Sequence, residues 1–88
     1  MAIADKHLIA FTYSEVSRVA EPHDYGVLNG HVQLLVYQLR SVPFAKGWRL
    51  LDVTKMNHVV LLAERFAGSR GPSHPHHHQW DTLFARVE

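Results

Sequence analysis

The stretch His31–Arg40, HVQLLVYQLR, decides the fold class of this chain. Positions 34 to 36 are apolar in succession, which indicates a strand that is covered on both of its faces. The dipeptide Asn29-Gly30 precedes it and is the strongest short signal for a tight hairpin turn, because both residues tolerate a positive φ. We therefore predict that His31–Arg40 is a central strand entered through a hairpin.

Strand character recurs on both sides of this stretch, in runs rich in β-branched and aromatic side chains. The predicted elements are strands at Leu8–Tyr13, Ser17–Pro22, Trp48–Val53 and His58–Phe66, a short helical lead-in at Ala2–Lys6 and one helical turn at Thr54–Asn57. Pro22 should lie at a strand edge or end, because proline cannot donate to a ladder. Five short strands favour an all-β fold, a small SH3-like or Sm-like five-stranded β-barrel, since closing the sheet removes its exposed edges.

The C-terminal part of the chain has a different pattern. Gly68–His78 is polar and rich in turn-forming residues, which is typical of a connector. In Trp80–Val87 the apolar residues follow an i, i+3, i+4, i+7 spacing, which predicts an amphipathic helix. We therefore predict a barrel over residues 1–67, followed over residues 68–88 by a histidine-rich connector and a C-terminal helix packed on the same domain or on a partner.

Length and composition exclude several classes of protein. Eighty-eight residues are enough for one domain with one core. Nine Lys and Arg against eight Asp and Glu produce no overall basic field, so any cationic site must be local. The chain has no cysteine. A secretory signal has an uninterrupted apolar run, whereas the N-terminal apolar residues here are interrupted by Asp5, Lys6 and His7. Together with the absence of a long apolar run, these features favour a cytoplasmic protein with no membrane span.

Residues 2–67 resemble the WYL domain, a bacterial module usually attached to helix-turn-helix regulators and to some CRISPR-associated proteins. The likeness is carried by LIAFTY (8–13), RVAEPHDYG (18–26), HVQLLVYQ (31–38), WRLLDVTKM (48–56) and ERFA (64–67). Val32 and Gln33 replace the first two residues of the Trp-Tyr-Leu triplet that names the family, and Lys55 takes the place of its basic residue before the last strand. The chain is predicted to be a stand-alone relative without a helix-turn-helix.

The resemblance implies a sensor whose barrel surface binds a nucleotide or a nucleic-acid fragment. Aromatic faces would stack on bases while local cations hold phosphates. The residues that the resemblance assigns to this ligand surface are Arg18, His23, Tyr25, Gln33, Tyr37, Arg49 and Lys55. The alternative interpretation of the same residues is structural: Tyr37 would be a core residue with its hydroxyl at the rim, and Arg18 and Arg49 would be solvated on the outside of their strands.

Two further groups of residues have side chains that could carry chemistry. The imidazoles of His74, His76, His77 and His78 are dense enough to bind zinc, nickel or copper, but they follow a Gly/Pro-rich pattern without cysteine partners, and a polar connector with no cofactor is the interpretation we favour. The segment Glu21–Tyr25 combines a carboxylate, an imidazole and a phenol at a spacing that fits no known mechanism. Without a phosphate loop or a nucleophile elbow, no catalytic residue is assigned and no enzymatic activity is predicted.

The sequence leaves two functions open. The first is a non-enzymatic regulatory module that senses a nucleotide or nucleic-acid ligand and passes its state to a partner protein. The alternative is a structural or protein-interaction module, in which the C-terminal helix forms a homodimer or docks on a partner through its apolar stripe.

Overall fold

The computed structural model describes residues 2–41, 46–68, 70 and 80–87. Its elements in chain order are α1 (Ala2–Asp5), β1 (His7–Tyr13), β2 (Val16–Leu28), β3 (His31–Ser41), β4 (Gly47–Asp52), a 3-10 turn (Val53–Lys55), β5 (Met56–Arg65) and β6 (Thr82–Arg86). The predicted all-β class and the short helical lead-in are confirmed. The predicted hairpin before β3 is also confirmed, since Asn29 and Gly30 form its turn with φ values of 53° and 77°.

The described strands form one antiparallel sheet with the order β4-β3-β2-β1-β5, and β6 also pairs with β2. The length of β2 makes this arrangement possible. Its first half pairs with β1, for example Ile9 with Ala20, and its second half pairs with β6, for example Tyr25 with Ala85. Both halves of β2 pair with β3 on the other side.

The predicted closed five-stranded barrel is wrong, because within the described residues the sheet has six strands and does not close. β4 and β5 stand at the two ends of the strand order. The prediction assumed that closure was needed to remove exposed edges. Instead, the sheet keeps β4 and β5 as edges, and register shifts interrupt the pairing of β5 with β1.

The predicted C-terminal helix is also wrong, because Thr82–Arg86 is the strand β6. The apolar spacing in Trp80–Val87 covers only two helical turns. Over so short a segment, the periodicity of apolar residues does not distinguish a helix from a strand. The uncovered second half of β2 offers backbone partners that a helix could not use. Tertiary pairing therefore overrides the helical pattern.

A bulge in β2 corrects the prediction that its strand ends at Pro22. Pro22 pairs with Val36 and Asp24 pairs with Leu35, so that His23 is an extra residue between two consecutive residues of β3. Proline is tolerated beside a bulge because the ladder is already interrupted there. β2 therefore continues through the bulge to Leu28.

The two faces of the sheet carry different side chains, because residues paired across strands point to the same side. We call one side the core face; it carries Phe11, Ala20, Leu34 and Val36, which are buried together with Ile3 of α1. The other side, the opposite face, carries Glu21, Tyr37 and Trp48, which are paired in one row across β2, β3 and β4. The two faces therefore carry different candidate sites.

Candidate functional site

Two arginines meet on the core face, and we call this cluster the arginine site: Arg18, Gln38 and Arg49, with Tyr13 beside them. Arg18 is only 7% exposed. Its Nη1 donates to Gln38 Oε1 at 3.3 Å, and its Nη2 donates to the Tyr13 carbonyl oxygen at 3.3 Å. The guanidinium carbon of Arg18 lies 5.1 Å from the centroid of the Tyr13 ring.

Burial and a neighbouring cation both act on the charge of Arg18. Burial lowers the pKa of Arg18, and the positive charge of Arg49 lowers that pKa further, while Tyr13 opposes both effects. Arg49 is partly buried, and its Nη1 donates to the Trp48 carbonyl oxygen at 2.8 Å. Two guanidinium groups near each other on one face provide the donors and the positive charge that an anion such as phosphate requires.

An apolar pocket of about 260 Å³ lies on the same face, toward the other end of β3. From Leu34 in the pocket to Gln38 in the arginine site the strand rises by roughly 13 Å, at about 3.3 Å per residue. The walls of the pocket are contributed by α1, β1, β2, β3, the 3-10 turn and β5, through Ala2, Ile3, Ile9, Pro22, Tyr25, Leu34, Val53, Met56 and Val59.

The opposite face carries an aromatic cluster around His23. The His23 ring lies edge-on to Trp48 at a centroid distance of 4.7 Å and stacks on Phe66 at 5.6 Å. Trp48 also contacts Tyr37, at 5.3 Å. His23 is 1% exposed, which makes it a structural member of this cluster in the free protein.

Arg70, which follows β5 in the chain, contacts the aromatic cluster through Glu21 and Tyr37. Its Nε and Nη2 donate to the two carboxylate oxygens of Glu21 at 2.7 and 2.9 Å. Its guanidinium carbon lies 3.7 Å from the centroid of the Tyr37 ring, a cation–π contact. The Glu21 side chain is therefore held by a bidentate ion pair and is not placed as a general acid or base.

Because His23 is buried in the aromatic cluster, its protonation should make the stability of the protein depend on pH. Burial lowers the pKa of His23, and the positive charge of Arg70 lowers it further. Two effects oppose this shift: the 2.9 Å hydrogen bond from His23 Nδ1 to the Glu21 carbonyl oxygen, and the negative charges of Glu21 and Asp24. Because the folded-state pKa lies below the unfolded value of about 6.5, the unfolded chain binds a proton between these two pH values that the folded chain does not. The contribution of neutral His23 to the free energy of unfolding is thus fully present above about pH 6.5, and it is lost as the pH decreases toward the folded pKa.

We expect the free energy of unfolding to decrease by up to about 1.4 kcal/mol per pH unit below pH 6.5. Urea unfolding at a series of pH values, followed by tryptophan fluorescence, measures this slope. The control is His23→Phe, which keeps an aromatic ring between Trp48 and Phe66 but cannot titrate. If the free energy of unfolding changed equally with pH in the two proteins, His23 would not be the source of the pH dependence.

A third group attaches β6 to the sheet. The buried carboxylate of Asp24 accepts hydrogen bonds from Nε and Nη2 of Arg86 at 3.0 and 3.1 Å, and from Nε1 of Trp80 at 3.3 Å. These contacts join residues 56 to 62 positions apart in the sequence. Sequence reasoning missed the roles of Arg70 and Arg86 and assigned Trp80 to the apolar stripe of the predicted helix, because no local spacing relates these residues to their partners. The acidic residue Glu21, inside the predicted strand Ser17–Pro22, was the one available signal.

The seven predicted ligand residues do not form a single surface. By strand register Arg18, Tyr25 and Arg49 share the core face, with Tyr25 in the wall of the pocket. His23 and Tyr37 belong to the aromatic cluster on the opposite face. Gln33 donates from Nε2 to the Leu28 carbonyl oxygen at 2.9 Å, and Lys55 is exposed in the 3-10 turn.

The candidate metal ligands of the histidine-rich connector lie outside the described residues; these ligands are His74, His76, His77 and His78. In the part of the chain that the structure describes, no three His, Asp or Glu side chains are grouped so that they could hold a metal ion. The described helices include none with the length and apolarity needed to cross a membrane. Comparison of the chain with protein-family models, curated proteins and solved structures finds no match.

Proposed function

We propose that this protein is a non-enzymatic regulatory module that binds a nucleotide or a nucleic-acid fragment, with a phosphate held at the arginine site. The observation that carries the proposal is the proximity of Arg18 and Arg49 on one partly buried face, where the charge of Arg49 adds to the effect of burial in lowering the pKa of Arg18. A phosphate between them would relieve this repulsion and accept charge-assisted hydrogen bonds from both guanidinium groups.

Tyr13 supports a ligand that carries a base as well as a phosphate. Its ring lies beside Arg18, and its hydroxyl accepts a hydrogen bond from the Asp52 backbone N–H at 3.2 Å, which holds the ring in position. An anchored aromatic face next to a cation is the combination that stacks a base and binds its phosphate. The resemblance of residues 2–67 to the WYL domain supports the same class of ligand and a sensory role toward a partner protein.

The proposed surface uses only part of the set implied by the resemblance. Arg18 and Arg49 hold the phosphate, and Tyr25 bounds the ligand on the pocket side. Lys55 is exposed beside the pocket residues Val53 and Met56 and is available to the backbone of a longer ligand. His23, Gln33 and Tyr37 contribute through the fold, because their side chains are engaged on the other side of the sheet.

The test is a titration with a fluorescent single-stranded hexanucleotide and, separately, with ATP, at about 50 and about 200 mM salt. We expect binding that weakens with salt and that Arg49→Gln weakens about tenfold or more, because a hydrogen bond to a charged group is lost. The control is Arg65→Gln, which removes the same charge from an exposed position in β5. Absence of binding at low salt, or equal weakening by both variants, would refute the proposal.

A second candidate function is self-association through β5, favoured by the exposure of three consecutive apolar residues, Val59, Val60 and Leu61, each more than half exposed at one end of the strand order. An antiparallel pair of β5 strands centred on Leu61 would place Val59 opposite Ala63 and cover this patch. This surface replaces the C-terminal helix as the candidate interface. Native mass spectrometry of the same preparation reports subunit number and bound nucleotide together: a dimer without ligand supports this second candidate, and a liganded monomer supports the first.

A further inference from the structure

We propose that the apolar pocket is a second ligand site, separate from the arginine site, and that it takes a compact uncharged hydrocarbon group about the size of one aromatic ring with a short substituent. This inference goes beyond the proposed function, because it concerns a different ligand class and, apart from Tyr25, different residues. It rests on the volume, the lining and the access of the pocket.

The volume of the pocket sets the size of the ligand. A cavity of about 150 Å³ lined by aliphatic and aromatic residues stays dry and holds benzene. At about 260 Å³ the pocket has room for such a ring and several additional carbon atoms. A pocket of this size is small compared with most sites for drug-sized ligands, which begin at about 300 Å³.

The lining of the pocket sets the chemistry of the ligand. The hydroxyl of Tyr25 is the one oxygen or nitrogen that the described lining side chains contain, and none of these side chains carries a charge. A phosphate, a carboxylate or a nucleobase would lose its hydration there without gaining enough hydrogen bonds in return. A hydrocarbon group has no such cost and gains from leaving water. The pocket therefore selects against the ligand proposed for the arginine site.

The walls of the pocket are ordered by the core, whereas its rim is open. Ile3, Ile9 and Leu34 are buried members of the core cluster, so the inner wall exists before a ligand binds. Val59 lines the pocket from β5 and is 54% exposed, which puts its side chain at the entrance. A larger side chain at this position should obstruct the pocket without disturbing the core.

The experiment uses toluene as the probe and the methyl resonance of Met56, a lining residue, as the readout in a ¹H–¹³C correlation spectrum. We expect a saturable shift of this resonance in the unmodified protein. Val59→Phe should weaken toluene binding about tenfold or more by occupying the entrance. Val60→Phe is the matched control, since Val60 is equally exposed, at 53%, but does not line the pocket, and it should leave the affinity unchanged.

Two outcomes would overturn this inference: no saturable shift of the Met56 methyl resonance, or equal weakening by Val59→Phe and Val60→Phe. The Arg49→Gln variant separates the two sites. It should retain toluene binding while losing affinity for the hexanucleotide, so that failure of the arginine site leaves the pocket testable and failure of the pocket leaves the arginine site testable. A spectrum of each variant with dispersed amide resonances confirms that it is folded.

Discussion

Replacing Gly26 with alanine is expected to lower the free energy of unfolding by about 3 kcal/mol or more and to displace β6 from β2. A Cβ atom at position 26 would overlap the carbonyl oxygen of Thr82, and it would also lie 3.0 Å from the Cα of Leu83 and 3.1 Å from Cε3 of Trp80. The first two neighbours are backbone atoms and cannot move aside by changing a rotamer. The strand pairing itself must give way.

Urea unfolding measures the loss of stability, and amide hydrogen exchange of β6 measures its displacement. The control is Gly30→Ala in the hairpin turn, where a Cβ would meet nothing within 4 Å but φ is +77°. That variant should cost only about 1–2 kcal/mol, the strain of a left-handed alanine, and should leave the exchange of β6 unchanged. A Gly26→Ala protein as stable as the Gly30→Ala protein would contradict the close approach of β2 and β6.

Replacing Arg86 with methionine is expected to cost about 2–4 kcal/mol, because it leaves the Asp24 carboxylate buried without its ion-pair partner. The side chain of Asp24 is 3% exposed and that of Arg86 is 40% exposed, so the carboxylate cannot recover its hydration while its partner is absent. The loss should be below that of a fully buried pair because water already reaches the guanidinium.

Urea unfolding of Arg86→Met, of Arg65→Met and of the double variant Asp24→Asn with Arg86→Met tests this expectation. Arg65 is exposed, so its replacement should change stability by no more than about 0.5 kcal/mol. The double variant should recover part of the loss, because a neutral amide at position 24 is cheaper to bury than a carboxylate. If Arg86→Met cost no more than Arg65→Met, the ion pair would have no role in attaching β6.

The candidate site illustrates which parts of a surface can be predicted from sequence. The resemblance to the WYL domain assigned Arg18, Tyr25 and Arg49 to a ligand surface together with His23, and the strand register places the first three on the core face. His23 instead contacts Trp48 on the opposite face, because the bulge beside Pro22 shifts the alternation in β2, and the sequence alone does not show this bulge. Gln38 was missed as a contact of Arg18, since their proximity depends on the register between β2 and β3.

What the sequence by itself determined was local: the Asn29-Gly30 turn, the strands on either side of it, the helical lead-in and the all-β class. These follow from backbone preferences and from the alternation of apolar residues, which act over a few positions. The tertiary structure decided the open sheet, the conversion of Thr82–Arg86 into a strand, and the separation of the arginine site from the aromatic cluster. Each of these depends on contacts between residues far apart in the chain, such as Asp24 with Arg86 and Glu21 with Arg70, which no local preference specifies and which override it where the two disagree.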